Sequence, residues 1–170
     1  LLPIDAVIMA GGKGSRLMPL TENTPKPMLE IGGKPIIEYN IDRLKRFGVF
    51  NQYISINYLG DQLVEYFADG YEKGLNISYI KEDEALGTIG AVRKVRDFRN
   101  KYVLVMNSDI LSDVDFEDLF NTLKELNADM IVSTTSYKVE IPYGVIETQD
   151  KRIKNLIEKP TYTYYSNAGI

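Results

Sequence analysis

Ala6-Val7-Ile8-Met9-Ala10 is an unbroken apolar run closed by Gly11-Gly12, and a short run without alternation fits a parallel strand covered on both faces. From Lys34 to Phe47 the period changes. Ile36, Ile37, Ile41, Leu44 and Phe47 recur at helical spacing, Pro35 suits a first-turn position and Gly48 a C-terminal stop. Gln52 to Asn57 alternates toward a strand through Tyr53, Ile54 and Ile56, Asp61 to Ala68 reads as a helix, and Asn76 to Ile80 as another strand. Leu86 to Phe98 is expected to be helical, Tyr102 to Met106 is a second wholly apolar strand, and Asp115 to Leu126 reads as a helix capped by Asp113 or Asp115. After Ala128 the texture shifts to three strand-like stretches, Met130 to Tyr137, Val145 to Thr148 and Ile153 to Ile157, the last two joined by a turn at Gln149-Asp150-Lys151. This order predicts an α/β fold: a doubly wound, mostly parallel Rossmann-like sheet with an antiparallel addition in the C-terminal part. Ligands of such sheets lie beyond the carboxyl ends of the parallel strands.

Composition narrows the chemistry. The 170 residues are 44% hydrophobic and 26% charged, a globular average that excludes disordered or fibrous classes, and no internal repeat or linker divides them, so residues 1–170 read as a single domain. No apolar run approaches the ~20 residues needed to cross a bilayer. Twenty Lys and Arg against 24 Asp and Glu leave a net charge of −4, so the overall field favours neither nucleic acid nor an anionic membrane. Any phosphate ligand must therefore be met by a local site. With no Cys and no His, the chain lacks thiolate and imidazole metal ligands, cysteine nucleophiles and the usual neutral-pH general base. No secretory signal is visible, and a cytoplasmic location is expected. The chain starts at Leu1 and stops at Ile170 without a terminating signal, so it is expected to be an excised fragment.

The candidate chemistry begins where the first strand ends. Gly11-Gly12-Lys13-Gly14-Ser15-Arg16 supplies closely spaced backbone N–H groups that can wrap an anion, with Lys13 and Arg16 adding charge. Neither familiar phosphate loop fits: the dinucleotide fingerprint needs Gly where Leu17 stands, and the Gly-Lys-Ser/Thr of Walker A is absent. A glycine cluster after a strand also makes a plain tight turn. Downstream, Pro25 and Pro27 stiffen the backbone on both sides of Lys26.

Met9 through Leu17 together with Pro25-Lys26-Pro27-Met28 resembles the signature of the sugar-1-phosphate nucleotidyltransferases, in particular the mannose-1-phosphate guanylyltransferase-like branch. The similarity runs the length of the chain, because Leu86 to Ala91, Val105-Met106-Asn107-Ser108-Asp109, Pro142-Tyr143-Gly144-Val145, Glu158-Lys159-Pro160 and Asn167-Ala168-Gly169 match in the family order. The resemblance implies transfer of a nucleotide from a nucleoside triphosphate to a sugar 1-phosphate, with Mg²⁺ as cofactor and no nucleic-acid or membrane partner; a homo-oligomer is left open. It implies that Gly11, Gly12, Gly14, Ser15 and Arg16 hold the nucleotide phosphates and that Lys26, with Arg16, is catalytic. Asp109 would bind the metal; Glu158, Lys159, Asn167 and Gly144 would hold the sugar phosphate. Gly87 and Thr88, expected to open a helix, would offer N–H groups to the nucleotide. Family members carry a second metal-binding aspartate further along, which this chain does not reach.

Simpler roles exist for several of these residues. Asp109 could cap or turn the chain, Lys26 could be a solvated loop lysine, and Glu158-Lys159-Pro160 could be an ordinary charged strand end. Asp113 and Asp115 fit helix capping better than metal binding. Glu82 could accept from a guanine edge, but Lys81-Glu82-Asp83-Glu84 is a charge run of the kind that usually forms a solvated face. Tyr162, Tyr164 and Tyr165 are open to three readings: a sugar-pocket wall, a partner surface or strand packing. The alternative to an enzyme is a nucleotide-sensing domain of the same fold.

Overall fold

The computed structural model describes residues 1–83, 87 and 89–170. They form two compact units, Leu1–Ile131 with Gly169–Ile170, and Val132–Ala168. In the first, β1 (Ile4–Met9) is followed by a small hairpin of β2 (Glu30–Ile31) and β3 (Lys34–Pro35), then by α1 (Ile36–Arg46), β4 (Asn51–Ile56), α2 (Asp61–Phe67), β5 (Asn76–Lys81), β6 (Tyr102–Asn107) and α3 (Phe116–Glu125). Strands β5, β4, β1 and β6 lie side by side in that order, all parallel. The chain thus winds outward from β1 through β4 to β5, then crosses back to β6 on the other side of β1. Doubly wound topology is borne out, and its switch point lies between β1 and β6, where such sheets open their ligand crevice.

The period-two alternation of the strands assigns the faces. Ala6 and Ile8 of β1 are fully buried against Ile37, Ile41 and Leu44 of α1, Leu63 of α2 and Phe116 of α3. Val7 lies on the opposite face with Ile80, Ala91, Val92, Val95, Phe98 and Val105. That second face corrects one expectation. Where a helix over Leu86–Phe98 is predicted, the chain makes a single 3₁₀ turn at Gly90–Lys94 and continues without regular structure to residue 98, with Leu86 outside the described residues. Gly90 and the β-branched Ile89, Val92 and Val95 are weak helix formers, and packing Val92, Val95 and Phe98 onto the sheet needs no helix. The segment is tied down at Asp5, a fully buried carboxylate that accepts from the N–H groups of Arg99 (2.6 Å) and Asn100 (3.1 Å) and from Asn100 Nδ2 (2.7 Å).

The other helices keep close to their predicted bounds. Asp115, not Asp113, caps α3, accepting from the N–H groups of Glu117 (2.9 Å) and Asp118 (3.1 Å). Tyr79 on β5 donates its hydroxyl to the carbonyls of Ala68 (2.8 Å) and Leu63 (3.2 Å), closing the end of α2 against the sheet. Burial, helped by the charge of Asp69, pushes this phenol up to about 12. A phenol raised in the folded state contributes stability that is complete below the ordinary value near ~10 and fades as pH rises through the folded value. Tyr79→Phe is therefore expected to cost about 1 kcal/mol at neutral pH and to flatten the loss of stability expected of wild type between pH 10 and 12; denaturant melts across that window check it.

The second unit contains β7 (Thr134–Glu140), β8 (Val145–Gln149), β9 (Arg152–Ile157) and β10 (Thr161–Asn167). Two antiparallel pairs form, β7 with β10 and β8 with β9. The antiparallel addition is borne out, but β7 begins four residues later than the apolar pattern of Met130 to Tyr137 suggests, because its bounds follow its pairing from Thr134–Asn167 to Glu140–Thr161. Among the described residues no helix is long and apolar enough to cross a membrane.

Candidate active site

At the carboxyl end of β1 the backbone leaves the sheet. Ala10 N–H still donates to Ser55 O (3.1 Å) and Ser55 Oγ (3.2 Å), while Ser108 N–H takes Met9 O (3.1 Å). From Gly11 through Arg16, none of the six amide N–H groups meets an acceptor among the described residues. A run of unsatisfied donors is costly to bury and favourable to turn on an anion, and this one lies at the switch point with the exposed side chains of Lys13 and Arg16 beside it.

Gly14 adopts φ +63°, the left-handed conformation. A Cβ there would stand 3.0 Å from Thr21 Cγ2 and 3.1 Å from Lys26 Cβ, so glycine is demanded by space as well as by backbone. Gly14→Ala is expected to destabilise the chain by about 1–2 kcal/mol and to weaken nucleotide binding more than tenfold, about 1.4 kcal/mol or more, which thermal melts and calorimetric titration separate.

Lys26 begins a 3₁₀ turn, Lys26–Met28, between the buried rings of Pro25 and Pro27. Its ammonium is ion-paired with Asp109 Oδ2 across 83 positions of sequence. Asp109 follows β6, and Asn40, a buried residue in the middle of α1, donates to the carbonyl just before it, Ser108 O, at 2.9 Å. The catalytic and metal candidates are thus brought together. Both side chains keep about a third of their surface in solvent, 34% for Lys26 and 29% for Asp109, so the pair is worth little and a polyanion that takes over Lys26 pays little to break it.

Glu82 departs from the charge-run reading. It is only 7% exposed, and its Oε1 would lie 3.1 Å from a Cβ placed on Gly11, which puts a carboxylate against the base of the glycine loop. The pattern carried a signal for it: one residue beyond β5, Glu82 continues by period two the face on which Ile80 is buried. Asn40 had one as well, sharing the helical stripe of Ile37, Ile41 and Leu44. Gly87 does not open a helix; it sits in a turn at φ +74°, and Thr88 lies outside the described residues.

In the second unit, Gly144 and Glu158 meet: a Cβ on Gly144 would stand 3.2 Å from Glu158 Oε2. Lys159 is exposed and holds φ +43°, an uncommon conformation for a residue with a Cβ. Asn167 ends β10 opposite Thr134. The pleat of β10 divides the three tyrosines: Tyr162 and Tyr164 share a face with Val139 and Tyr137, whereas Tyr165 shares the other with Asn167.

The model of the nucleotidyl transferase family matches residues 5–170. The chain belongs to that family. Its resemblance to the sugar-1-phosphate nucleotidyltransferases is borne out by similar members. The bifunctional protein GlmU of Methanococcus maripaludis is 38% identical over 158 residues, covering 92% of this chain and 36% of its own. A probable mannose-1-phosphate guanylyltransferase 1 of Oryza sativa subsp. japonica is 33% identical over 176 residues, covering 98% of this chain and 49% of its own. Among solved structures, HddC from Yersinia pseudotuberculosis matches with a TM-score of 0.72 at 27% identity, over 97% of this chain and 74% of that one. This nucleotidyl transferase chain spans between a third and a half of the length of the curated relatives it matches.

Proposed function

We propose that this nucleotidyl transferase joins a sugar 1-phosphate to a nucleoside triphosphate, releasing a nucleotide-sugar and pyrophosphate. The observation that carries the reading is the run of six amides, Gly11 to Arg16, that meet no acceptor among the described residues, beside the Lys26–Asp109 pair at the switch point of the sheet. The amides and Arg16 suit the triphosphate oxygens. Lys26, anchored through its backbone, would neutralise charge at the α-phosphate as it is attacked. An oxygen of the sugar phosphate forms the new P–O bond and the α–β bridging bond breaks, its electron pair leaving with pyrophosphate. The nucleophile, with a second pKa near ~6, is already largely dianionic at pH 7. No general base is required, in keeping with a chain that has no His and no Cys. Glu158, Lys159, Gly144 and Asn167 are assigned to the sugar phosphate on the family resemblance.

The donor set at Asp109 fits Mg²⁺. A partly exposed carboxylate is a hard oxygen ligand, and Mg²⁺ is commonly held by one or two carboxylates with substrate phosphates and water making up the rest. No cluster of three or more acidic residues that could form a protein-only cage occurs among the described residues. Bound at Asp109, the ion would offset the charge of the phosphates.

Pyrophosphate release by the full-length protein with Mg²⁺ tests the reading, scanning four nucleoside triphosphates against the 1-phosphates of glucose, mannose and N-acetylglucosamine. GTP is the first base to try, because a carboxylate at Glu82 can accept from both N1–H and the amino group of guanine. Release with one pair supports the transferase. Silence in every pair with nucleotide bound points instead to a sensing domain of the same fold.

A further inference from the structure

Thr21 has no role in the chemistry proposed above, yet it is fully buried, and its Oγ1 donates to Gly14 O at 3.0 Å. The same carbonyl also accepts from Leu17 N–H at 2.8 Å. In a planar trans peptide the carbonyl of one residue and the N–H of the next point in opposite directions. Drawing the Gly14 carbonyl inward therefore turns the Ser15 N–H outward, into the row of donors that has no acceptor among the described residues. Thr21 also fills the space beside Gly14 that a side chain would need, in company with Lys26 Cβ. The hydroxyl of one buried side chain thus holds a carbonyl within the amide row.

We propose that Thr21 is a positioning residue for the nucleotide phosphates, its hydroxyl setting the direction of the Ser15 amide. The proposal rests on the reading of this loop as a triphosphate site. The residues after Thr21 are held independently, Tyr58 donating its hydroxyl to Glu22 O (2.8 Å) and Gln62 Nε2 to Asn23 O (2.9 Å), so removing the hydroxyl does not release the loop.

The test is calorimetric binding of inorganic tripolyphosphate with Mg²⁺, and of each of the four nucleoside triphosphates, to the full-length protein, alongside thermal melts. Two pairs of proteins each differ by this one hydroxyl: wild type against Thr21→Val, and Thr21→Ser against Thr21→Ala. If one member of a pair does not fold, the other pair gives the answer. The hydroxyl-less protein of each pair is expected to bind about tenfold more weakly, with Thr21→Ser within about twofold of wild type. Equal affinities within a pair overturn the proposal, even if the melting temperature falls, since that marks a structural role alone. Failure of Thr21→Ser to restore binding overturns it as well. Wild type that binds neither tripolyphosphate nor any of the four nucleotides overturns the triphosphate reading itself, and Thr21 with it.

Discussion

Lys26→Ala is expected to lower turnover by about 10²–10³-fold at saturating substrate, the scale on which a preorganised charge or donor at a reacting centre acts. The reason is positional. Lys26 Cβ is packed against Gly14, the prolines on either side are buried, and only the four-carbon stem and ammonium reach out to Asp109. Alanine keeps the Cβ and so keeps the packing. What it removes is the charge, and because the ion pair is partly exposed its loss is expected to change the melting temperature little. A large fall in turnover without a fall in stability is therefore the signature. Pyrophosphate release under steady-state conditions and a thermal melt on the same preparation check it, and near-normal turnover would take Lys26 out of the reaction. Lys26→Arg is expected to recover only part of the rate, since a planar guanidinium does not occupy the place of a compact ammonium.

Asp109→Asn makes the complementary change, keeping the shape of the side chain while deleting its charge. Turnover is expected to fall by at least about 10²-fold, and the remaining activity should need a higher Mg²⁺ concentration, because an amide is a much weaker ligand than a carboxylate for a hard cation. Binding of Mn²⁺ followed by electron paramagnetic resonance supplies a readout apart from turnover. If Asp109→Asn retains both its rate and its Mn²⁺ affinity, the carboxylate serves only as the partner of Lys26. The two variants are not additive in this geometry, since each leaves the other half of one ion pair unpartnered.

Much of the fold could be read from period alone. The apolar runs of β1 and β6 needed no context, because strands covered on both faces have no polar side to show. The stripe of Ile37, Ile41 and Leu44 likewise announced α1. Errors came where local preference and packing disagree. Residues 86–98 carry apolar positions at roughly helical spacing, but two glycines and a row of β-branched side chains leave helix formation weak, and contact with the sheet face settles the matter. The hairpin β2–β3 is too short to have a period, and β10 hides behind tyrosines and threonines that alternate without an apolar face.

The candidate site residues were legible for a different reason. A glycine loop after a strand, a lysine between prolines and an aspartate at a strand end are local features, written in consecutive residues; the resemblance to the sugar-1-phosphate nucleotidyltransferases rests on such local motifs, and it is what names Gly11 to Arg16, Lys26 and Asp109 as candidates. Their assembly is not local. That Lys26 meets Asp109 depends on β1 lying beside β6, a pairing between segments about a hundred residues apart that no period encodes and that the burial of both sheet faces selects. The inward turn of Glu82 toward Gly11 and the burial of Thr21 under Gly14 arise in the same way, from side chains whose neighbours exist only once the sheet has closed.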